Sequence, residues 1–494
     1  MDCEVAVVGG GIGGLTVAAL LAQRGVDVCV LERDSQAGGC VAPLEKFGYR
    51  FEPTDGLYTG WAAGDIHSRI FSELPVSPPE TRLLKPSYTV ALPDRNEVSI
   101  SGNLDELEIG LSLAFPECSE QAISFYKKLA EVSSSLTRVF DNDSNFFAAS
   151  AAGRVWSIAK HGSSARQLRK YVEDTVDKHL VDVSTRFRRF IDVQLQTLAQ
   201  GDVSQVSFLY AASVLADRRG MFAINGGAAA LAERLAESIQ KSGGRVKLNS
   251  PVLRLSYDSA GKATGVDLLT GESVKASHAI ISNPTVWDTY GKLIGLNNTP
   301  PEVRKHLKDA RGWGAYLVFA GIDDAAAKAL PECPVLHLLD WPGGHEYDPE
   351  NLQLTFNAAP SWDPRGPAGK RAVTIHSVTD VDRWFTFHQD ETELEEMDQE
   401  MLTLVWDRLH KSVPSLGGSI EVIETSTPRS YYEQTRRKLG MVRGLPVTPS
   451  AFAGGPSFET YIPKVFIVSD TSSYGGIAGV SQLALMLANH LTGK

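Results

Sequence analysis

Residues 5–32 read VAVVGGGIGGLTVAALLAQRGVDVCVLE: an apolar run, a glycine-rich turn, an Ala- and Leu-rich stretch, a second apolar run and an acid. This order predicts a strand, a tight turn, a helix and a second strand. Gly9, Gly11 and Gly14 satisfy G-x-G-x-x-G, whose glycines permit the turn, the approach of a pyrophosphate and close helix–strand packing. The stretch therefore predicts a dinucleotide-binding unit.

The acid that ends the second apolar run limits the choice of dinucleotide. Glu32 follows Gly14 by 18 residues, where a carboxylate accepts hydrogen bonds from ribose hydroxyls. A carboxylate there disfavours the 2′-phosphate of NADP, which leaves FAD or NAD. The phosphates are expected at the helix N-terminus, where unpaired N–H groups and the helix dipole favour an anion.

A second strand–loop–helix pattern lies near the end of the chain. Val465–Val468 is apolar, Asp470 stands close behind it, and a glycine-rich loop leads into a helical stretch at 480–491. An acid at a strand end can bind a polyol hydroxyl, and a helix N-terminus stabilises negative charge on a bound ring. A flavin needs such a unit and a nicotinamide does not, so this pattern favours FAD.

The size and composition of the chain exclude several classes of protein. A chain of 494 residues exceeds what one hydrophobic core usually serves, so two or three lobes are expected. A net charge of −11 disfavours nucleic acid as a partner. The five cysteines have neither metal-ligand spacing nor a disulfide framework, and the eleven histidines are dispersed, so no metal site is expected.

The chain has a basic segment but no apolar run near the roughly 18 residues of a membrane-spanning helix. Residues 151–190 carry nine Lys and Arg against four acids, with apolar side chains between them. Such a segment either contacts an anionic membrane, through Arg186, Arg188 and Arg189, or is the solvated face of a core helix. The glycine motif begins at Gly9, which leaves no room for a targeting peptide. We expect a cytoplasmic protein, peripheral on a membrane.

Hydrophobic periodicity predicts the elements of the middle of the chain. An amphipathic helix is expected at 228–241, ended by Gly243 and Gly244. Alternating patterns predict short strands after this helix and in the second half of the chain. These strands are expected at residues 245–248, 252–257, 264–269, 273–282, 315–320, 352–358 and 372–379. A further helix is predicted at 393–410.

Several motifs of this sequence are shared with one known family. They are the GGGIGG turn with Glu32, the pair Gly38-Gly39, the segment Gly48–Glu52, the turn Asn225-Gly226-Gly227 and the terminal loop Asp470–Gly479. Together they resemble the FAD-dependent carotenoid (phytoene-type) desaturases and isomerases of the amine oxidase-like flavoproteins. Residues 66–71, 208–211, 427–429 and 478–481 are most similar to the bacterial and cyanobacterial carotenoid 3,4-desaturases.

The resemblance implies an α/β fold with two lobes. A Rossmann-like FAD-binding lobe of the glutathione reductase and amine oxidase type would be assembled from residues 1–75, 215–290 and 440–494. A substrate lobe with a mixed sheet and helices, facing a membrane, would consist of residues 76–214 and 291–439.

The same resemblance implies the cofactor-binding residues, position by position. The adenosine and pyrophosphate would be held by Gly9, Gly11, Gly13, Gly14, Glu32 and Arg33. The backbone of Val252 would meet the adenine, and the ribityl side would be approached by Gly38 and Gly39. The ribityl-phosphate region and the flavin O2 would be held by Asp470, Gly479 and Val480.

The resemblance further implies desaturation of a carotenoid or another lipophilic polyene by hydride transfer to flavin N5. A carboxylate would accept the remaining proton, and the candidates are Glu52 and Asp55, in the loop expected near the ring. The chain departs from the family there, because Phe51–Asp55 replaces F-D-x-G. It departs again near the terminal strand, where Ser469-Asp470 replaces G-D and the following loop lacks the family's proline.

These departures leave other functions open. A carotenoid cis–trans isomerase would use reduced flavin without net oxidation. A flavin amine oxidase would need an aromatic cage, of which Tyr474 offers one half. A non-catalytic prenyl-lipid carrier would share the architecture without flavin, and the intact glycines argue against it. The electron acceptor is left open between oxygen and a quinone.

Overall fold

The structure, a computed structural model, describes residues 2–140, 166–341, 346–386 and 390–494. Within these ranges the chain forms two seven-stranded sheets and the helices that cover them. None of the described helices combines the length and the apolarity needed to cross a bilayer.

The elements are numbered along the chain. The strands are β1 Asp2–Val8, β2 Val28–Leu31, β3 Leu44–Lys46, β4 Tyr49–Phe51, β5 Thr81–Leu83, β6 Tyr88–Ala91, β7 Glu97–Ile100, β8 Phe222–Ile224, β9 Arg245–Lys247, β10 Val252–Tyr257, β11 Ala263–Leu268, β12 Ser273–Ser282, β13 Gly314–Asp323, β14 Val335–Leu338, β15 Gln353–Ala358, β16 Lys370–Thr379, β17 Ile420–Ser426 and β18 Val465–Ile467. The helices of six or more residues with both ends described are α1 Ile12–Gln23, α2 Ile66–Glu73, α3 Leu104–Ala114, α4 Ser119–Phe140, α5 Thr185–Ala199, α6 Phe208–Leu215, α7 Ala228–Lys241, α8 Pro301–Asp309, α9 Glu391–Ser412, α10 Pro428–Thr435, α11 Pro449–Gly454 and α12 Gly476–Thr492.

The first sheet has a parallel centre in the order β18, β12, β1, β2, β9. The long β12 also pairs with β11, and β11 with β10, in an antiparallel meander. Strand β2 and the part of β1 from Val5 to Val8 are apolar and buried, as parallel strands covered on both faces require. The predicted strand–turn–helix–strand order at the start of the chain is therefore confirmed.

Each face of the first sheet is covered differently. Helix α1 packs against α7 and α12, and Val5 and Val7 of β1 join that core. Residues Ile12–Ala22 of α1 are all buried, which explains why this helix has no polar face. The opposite face packs Ala6 and Val8 against side chains of the meander. Helix α1 is thus fixed between two other helices, with its N-terminus at the end of β1.

The second sheet runs β17, β13, β16, β15, β14, β6, β7, with only the β14–β6 pair parallel. Helix α9 contributes Met401, Val405 and Leu409 to the core on one face, and β4 packs on the other. Helices α3 to α6 form a separate core with β6, β7 and β14. The predicted strands and helices here are confirmed, although several extend two or three residues beyond the predicted bounds.

The two sheets draw on different segments of the chain. The first takes strands from 2–31, 245–282 and 465–467, and the second from 88–100 and 314–426. The exact lobe boundaries stay a prediction.

The structure describes only part of the basic segment, since residues 151–165 lie outside the described ranges. Arg186 and Arg188 are partly exposed and pair with carboxylates of neighbouring segments. Arg189 is only 2% exposed, and its Nη1 donates to Oδ2 of the buried Asp192 at 2.8 Å. The interpretation of Arg189 as a membrane-contacting residue is wrong, because this side chain lies in the core.

The buried pair of Arg189 and Asp192 generates a stability prediction. Arg189→Glu places a second carboxylate beside Asp192, whose pKa burial already raises to about 6, and should lower the free energy of unfolding by about 3–5 kcal/mol. Arg188→Glu, at a half-exposed pair with Asp177, should cost about 0–1 kcal/mol. Urea unfolding of both variants tests this, and equal losses would contradict the assignment of Arg189 to the core.

Candidate functional site

A cavity of about 740 Å³ is lined by residues of both sheets. Its volume falls within the roughly 300–1,000 Å³ typical of small-molecule sites. The predicted residues that line it are Gly9, Gly11, Gly13, Glu32, Arg33, Gly38, Gly39, Asp55, Val252, Asp470 and Val480. Those that do not line it are Gly14, Glu52 and Gly479. The structure therefore brings most of the predicted positions to one cavity, from five separate segments of the chain.

The glycine turn after β1 brings the N-terminus of α1 to this cavity. Gly9 has a φ of 92°, a conformation that favours glycine. A Cβ on Gly14 would lie 2.4 Å from the carbonyl oxygen of Gly9, so a side chain there would push the helix off the strand. Gly14 thus acts behind the cavity wall, by packing. The first-turn N–H groups of α1, which a helix leaves unpaired, lie at the wall and suit a phosphate.

Glu32 is held at the end of β2 by backbone donors. Its Oε2 accepts from the N–H of Gly10 at 2.6 Å, and its Oε1 accepts from the N–H of Asp34 at 2.9 Å. The residue is only 6% exposed, yet it lines the cavity. Each carboxylate oxygen keeps a second acceptor position, so the group can still bind a ribose hydroxyl.

The glycine pair at 38–39 packs against the first turn. The N–H of Gly38 donates to the carbonyl of Gly10 at 2.8 Å, and a Cβ on Gly39 would lie 3.4 Å from Cα of Gly11. Gly38 has a φ of 129° and Gly39 a φ of 57°. The two turns therefore form one continuous piece of cavity wall.

The terminal loop forms another piece of the wall. A Cβ on Gly479 would lie 1.6 Å from the carbonyl oxygen of Tyr474, so the loop can close onto α12 only with glycine at that position. The loop places Val480 at the cavity. Asp470 lines the cavity too, and its carboxylate lies 3.0 Å from Nη1 of Arg437.

Glu52 lies outside the cavity, and both of its carboxylate oxygens accept hydrogen bonds from protein groups. Oε2 accepts from Nη1 of Arg365 at 2.8 Å, and Oε1 accepts from the N–H of Ala228 at 2.9 Å and from the Tyr58 hydroxyl. Burial, and then the charge of Glu52, raise the pKa of Tyr58 well above its ordinary value. The predicted role of Glu52 as proton acceptor does not fit this position, because its carboxylate ties β4 to α7 and to Arg365.

Asp55, the second carboxylate predicted for proton transfer, does line the cavity. It forms an ion pair with Arg443, which also donates to the carbonyl of Thr197. The pair joins the loop after β4 to the end of α5 and to the segment after α10. Asp55 is therefore the one of the two candidates that the fold places where a bound ligand can reach it.

Arg437, Arg443 and His376 are three polar residues among those of the wall that sequence reasoning missed. His376 is 8% exposed, and burial lowers its pKa to about 4, so the ring is neutral. Its Nε2 has no hydrogen-bonding partner among the described residues. The two arginines follow the motif at 427–429 in the sequence, which only weakly indicates a role at the site. His376 lies in an ordinary strand pattern, and no feature of the sequence pointed to it.

Aromatic side chains form a further part of the wall. The rings of Tyr210 and Tyr474 lie 5.7 Å apart at 71°, and Phe452 packs on both. This edge-to-face contact fills the space between the two tyrosines. Tyr474 is therefore not half of an open cage with Tyr210.

The wall fits a bound flavin dinucleotide. Helices α1 and α12 both begin at the cavity, so two sites of partial positive charge face the same space. Glu32 stands beside one of them with acceptor capacity for a ribose, and Asp470 lines the wall with acceptor capacity for a polyol. The glycines of both turns leave the backbone open to close approach. FAD would therefore bind along this wall, with Gly14 and Gly479 acting by packing, and the contacts of the individual residues with FAD stay predictions.

The role of the terminal turn in flavin binding can be tested by adding one methyl group at Gly479. Gly479→Ala places a Cβ within 1.6 Å of a backbone oxygen and should displace the start of α12, so the purified protein should lose most of its bound flavin. Gly454→Ala, at a helical glycine with open space around it, should keep its flavin. The ratio of flavin to protein absorbance measures the difference. A Gly479→Ala protein with full flavin content would contradict this role.

The sequence is similar to known proteins of one family. The family of flavin-containing amine oxidoreductases matches residues 12–415. The prolycopene isomerase of Arabidopsis thaliana chloroplasts is 25% identical over 510 residues, covering 99% of this chain and 82% of that protein. The all-trans-retinol 13,14-reductase of Danio rerio is 25% identical over 540 residues, covering 98% and 85%. The predicted family is confirmed, whereas the narrower likeness to 3,4-desaturases stays a prediction.

Solved structures share the fold. A putrescine oxidase bound to putrescine superposes with a TM-score of 0.63 at 14% identity over all of both chains. An oxidoreductase of Methanosarcina mazei has a TM-score of 0.63 at 15% identity over 99% of both chains. Likeness at this identity confirms the predicted fold and carries no statement about substrate. The family match and the enzymes similar over nearly the whole chain support catalysis over the carrier alternative. The chain belongs to the flavin-containing amine oxidoreductases and is an FAD-dependent oxidoreductase.

Proposed function

We propose that this enzyme desaturates a carotenoid or a related polyene. The observation that carries the proposal is a cavity with many apolar lining residues, in which each carboxylate already has a partner. The apolar side chains that line it include Leu57, Leu198, Val214, Met221, Leu445 and Val447. A long hydrocarbon-like ligand gains free energy from such a surface, at roughly 25 cal/mol per Å² removed from water.

The carboxylates of the wall are neutralised within the protein. The acid–base pairs are Asp34 with Arg33 at 2.9 Å, Asp288 with Lys292 at 2.6 Å, Asp470 with Arg437 at 3.0 Å, and Asp55 with Arg443. Glu32 is bound by backbone N–H groups. An apolar ligand beside the FAD therefore does not have to bury an unpaired carboxylate, which would cost several kcal/mol.

Bound FAD supplies the hydride-transfer chemistry. The protein residues hold the ligand, exclude water and move the proton that accompanies the hydride. Asp55 is the proposed proton acceptor, because it is the predicted carboxylate that reaches the cavity. Arg443 fixes the orientation of its carboxylate.

Cis–trans isomerisation is the second candidate. The similarity to prolycopene isomerases over 99% of the chain supports it, and the similarity to a retinol reductase supports a polyene ligand for either reaction. An amine substrate receives less support, because the Tyr210–Tyr474 contact leaves no slot between the rings.

The proposal also covers where the enzyme obtains its substrate and which compound accepts the electrons of the reduced flavin. A polyene resides in a bilayer, so we infer a cytoplasmic enzyme with peripheral membrane contact. Of the three arginines predicted for that contact, Arg186 and Arg188 are partly exposed, whereas Arg189 is buried. Oxygen or a quinone would reoxidise the flavin.

Product analysis separates these reactions. Expression in carotenoid-accumulating bacteria should yield a pigment with a longer conjugated system and a mass lower by one hydrogen molecule, measured by HPLC with mass detection. A product of unchanged mass and altered retention would identify an isomerase. Gly479→Ala, expected to lose flavin, serves as the inactive control. Unchanged pigments, together with oxidation of putrescine by the purified protein, would contradict the polyene proposal.

A further inference from the structure

Arg437 joins several segments of the cavity wall. It is 7% exposed and lines the cavity, and its Nη1 lies 3.0 Å from both carboxylate oxygens of Asp470. Its Nε donates to the carbonyl of Met441 at 2.8 Å, and its Nη2 donates to the carbonyl of Arg443. Its Nη1 also lies 3.8 Å from Sγ of Cys40, the residue that follows the glycine pair.

The Asp470 carboxylate is a negative charge in the cavity where an anionic cofactor is expected, and its ion pair with Arg437 cancels that charge. Its carboxylate lines the same cavity as the N-terminus of α1, where the phosphates of FAD are expected. Like charges in a partly buried site repel strongly, because the local dielectric is low. Burial alone would lower the pKa of Arg437, but the charge of Asp470 raises it above its ordinary value, so the guanidinium remains a cation.

We propose that Arg437 is a positioning residue, which orients the Asp470 carboxylate and cancels its charge so that this acid can stand beside the anionic cofactor. Its donors are directed at the carboxylate and at the backbone carbonyls of Met441 and Arg443. This role concerns the cofactor alone and holds for any substrate.

Two other roles make different predictions. A direct cation for the pyrophosphate would be needed even without Asp470. A purely structural anchor for residues 441–443 would also be needed without Asp470. If Arg437 acts by cancelling charge, its loss weakens FAD binding only while Asp470 is present. A double-variant cycle therefore separates the three roles.

The experiment uses Arg437→Met, Asp470→Asn, the double variant and Arg429→Met. Arg429 lies on α10 outside the cavity lining, is 41% exposed and pairs with Glu433 at 3.6 Å, so its variant controls for the loss of one paired positive charge. FAD affinity is measured by titrating the deflavinated protein and following flavin fluorescence. Arg437→Met should weaken FAD binding by about 10- to 100-fold, and the double variant by clearly less. Arg429→Met should stay within about threefold of the parent protein.

The flavin midpoint potential is a second measurement. Damage to the segment at 441–443 would not shift this potential in opposite directions in the two single variants. Arg437→Met leaves an uncancelled negative charge and should lower the potential, because reduction adds electrons to the ring. Asp470→Asn leaves an uncancelled positive charge and should raise it. The double variant should return close to the parent value.

Each outcome decides the proposal. Recovery of FAD affinity in the double variant supports it, including the case in which Arg437→Met alone does not fold. A double variant that binds FAD as weakly as Arg437→Met, or does not fold, overturns it in favour of direct contact or a structural anchor. Unchanged affinity in Arg437→Met overturns it as well. None of these results depends on whether a polyene is converted.

Discussion

The close contact between the first and the last helix is the constraint on which the rest of the structure depends. A Cβ on Gly13 would lie 2.7 Å from Cγ2 of Val480 and 2.9 Å from the carbonyl oxygen of Val468. Only glycine permits this approach, because a backbone oxygen cannot give way cheaply. The contact brings two helix N-termini to one cavity, where each stabilises negative charge on a different part of a bound dinucleotide.

One amide side chain ties the three segments of the first sheet together at this point. Oδ1 of Asn283 accepts from the N–H of Gly11 at 2.9 Å, and its Nδ2 donates to the carbonyl of Val468 at 2.7 Å. Asn283 follows β12, which pairs with β1 on one side and with β18 on the other. The glycine turn, the central strand and the terminal strand are therefore fixed to each other before any ligand binds, as preorganisation requires.

The sequence predicted what local patterns determine and missed what distant pairing determines. The βαβ unit, the helix at 228–241 and the strand at 273–282 follow from periodicity and turn residues, so they were found. The partners of the acids were not, since Glu52 meets Arg365 and Asp55 meets Arg443 across more than 300 residues. Two carboxylates three residues apart therefore looked equivalent, although β4 turns one into the protein and leaves the other at the cavity.

Paired charges also decide how a substrate can be selected. An ammonium substrate would need an unpaired carboxylate or an open aromatic cage, and breaking one of the existing pairs would cost about 3–5 kcal/mol if it were fully buried. The neutral ring of His376 adds no charge to this wall. If the substrate is a polyene, as we propose, shape and apolar contact position it rather than a charge. Because such a chain has near-uniform chemistry, the depth to which the cavity admits it would then set which carbon–carbon bond reaches the flavin.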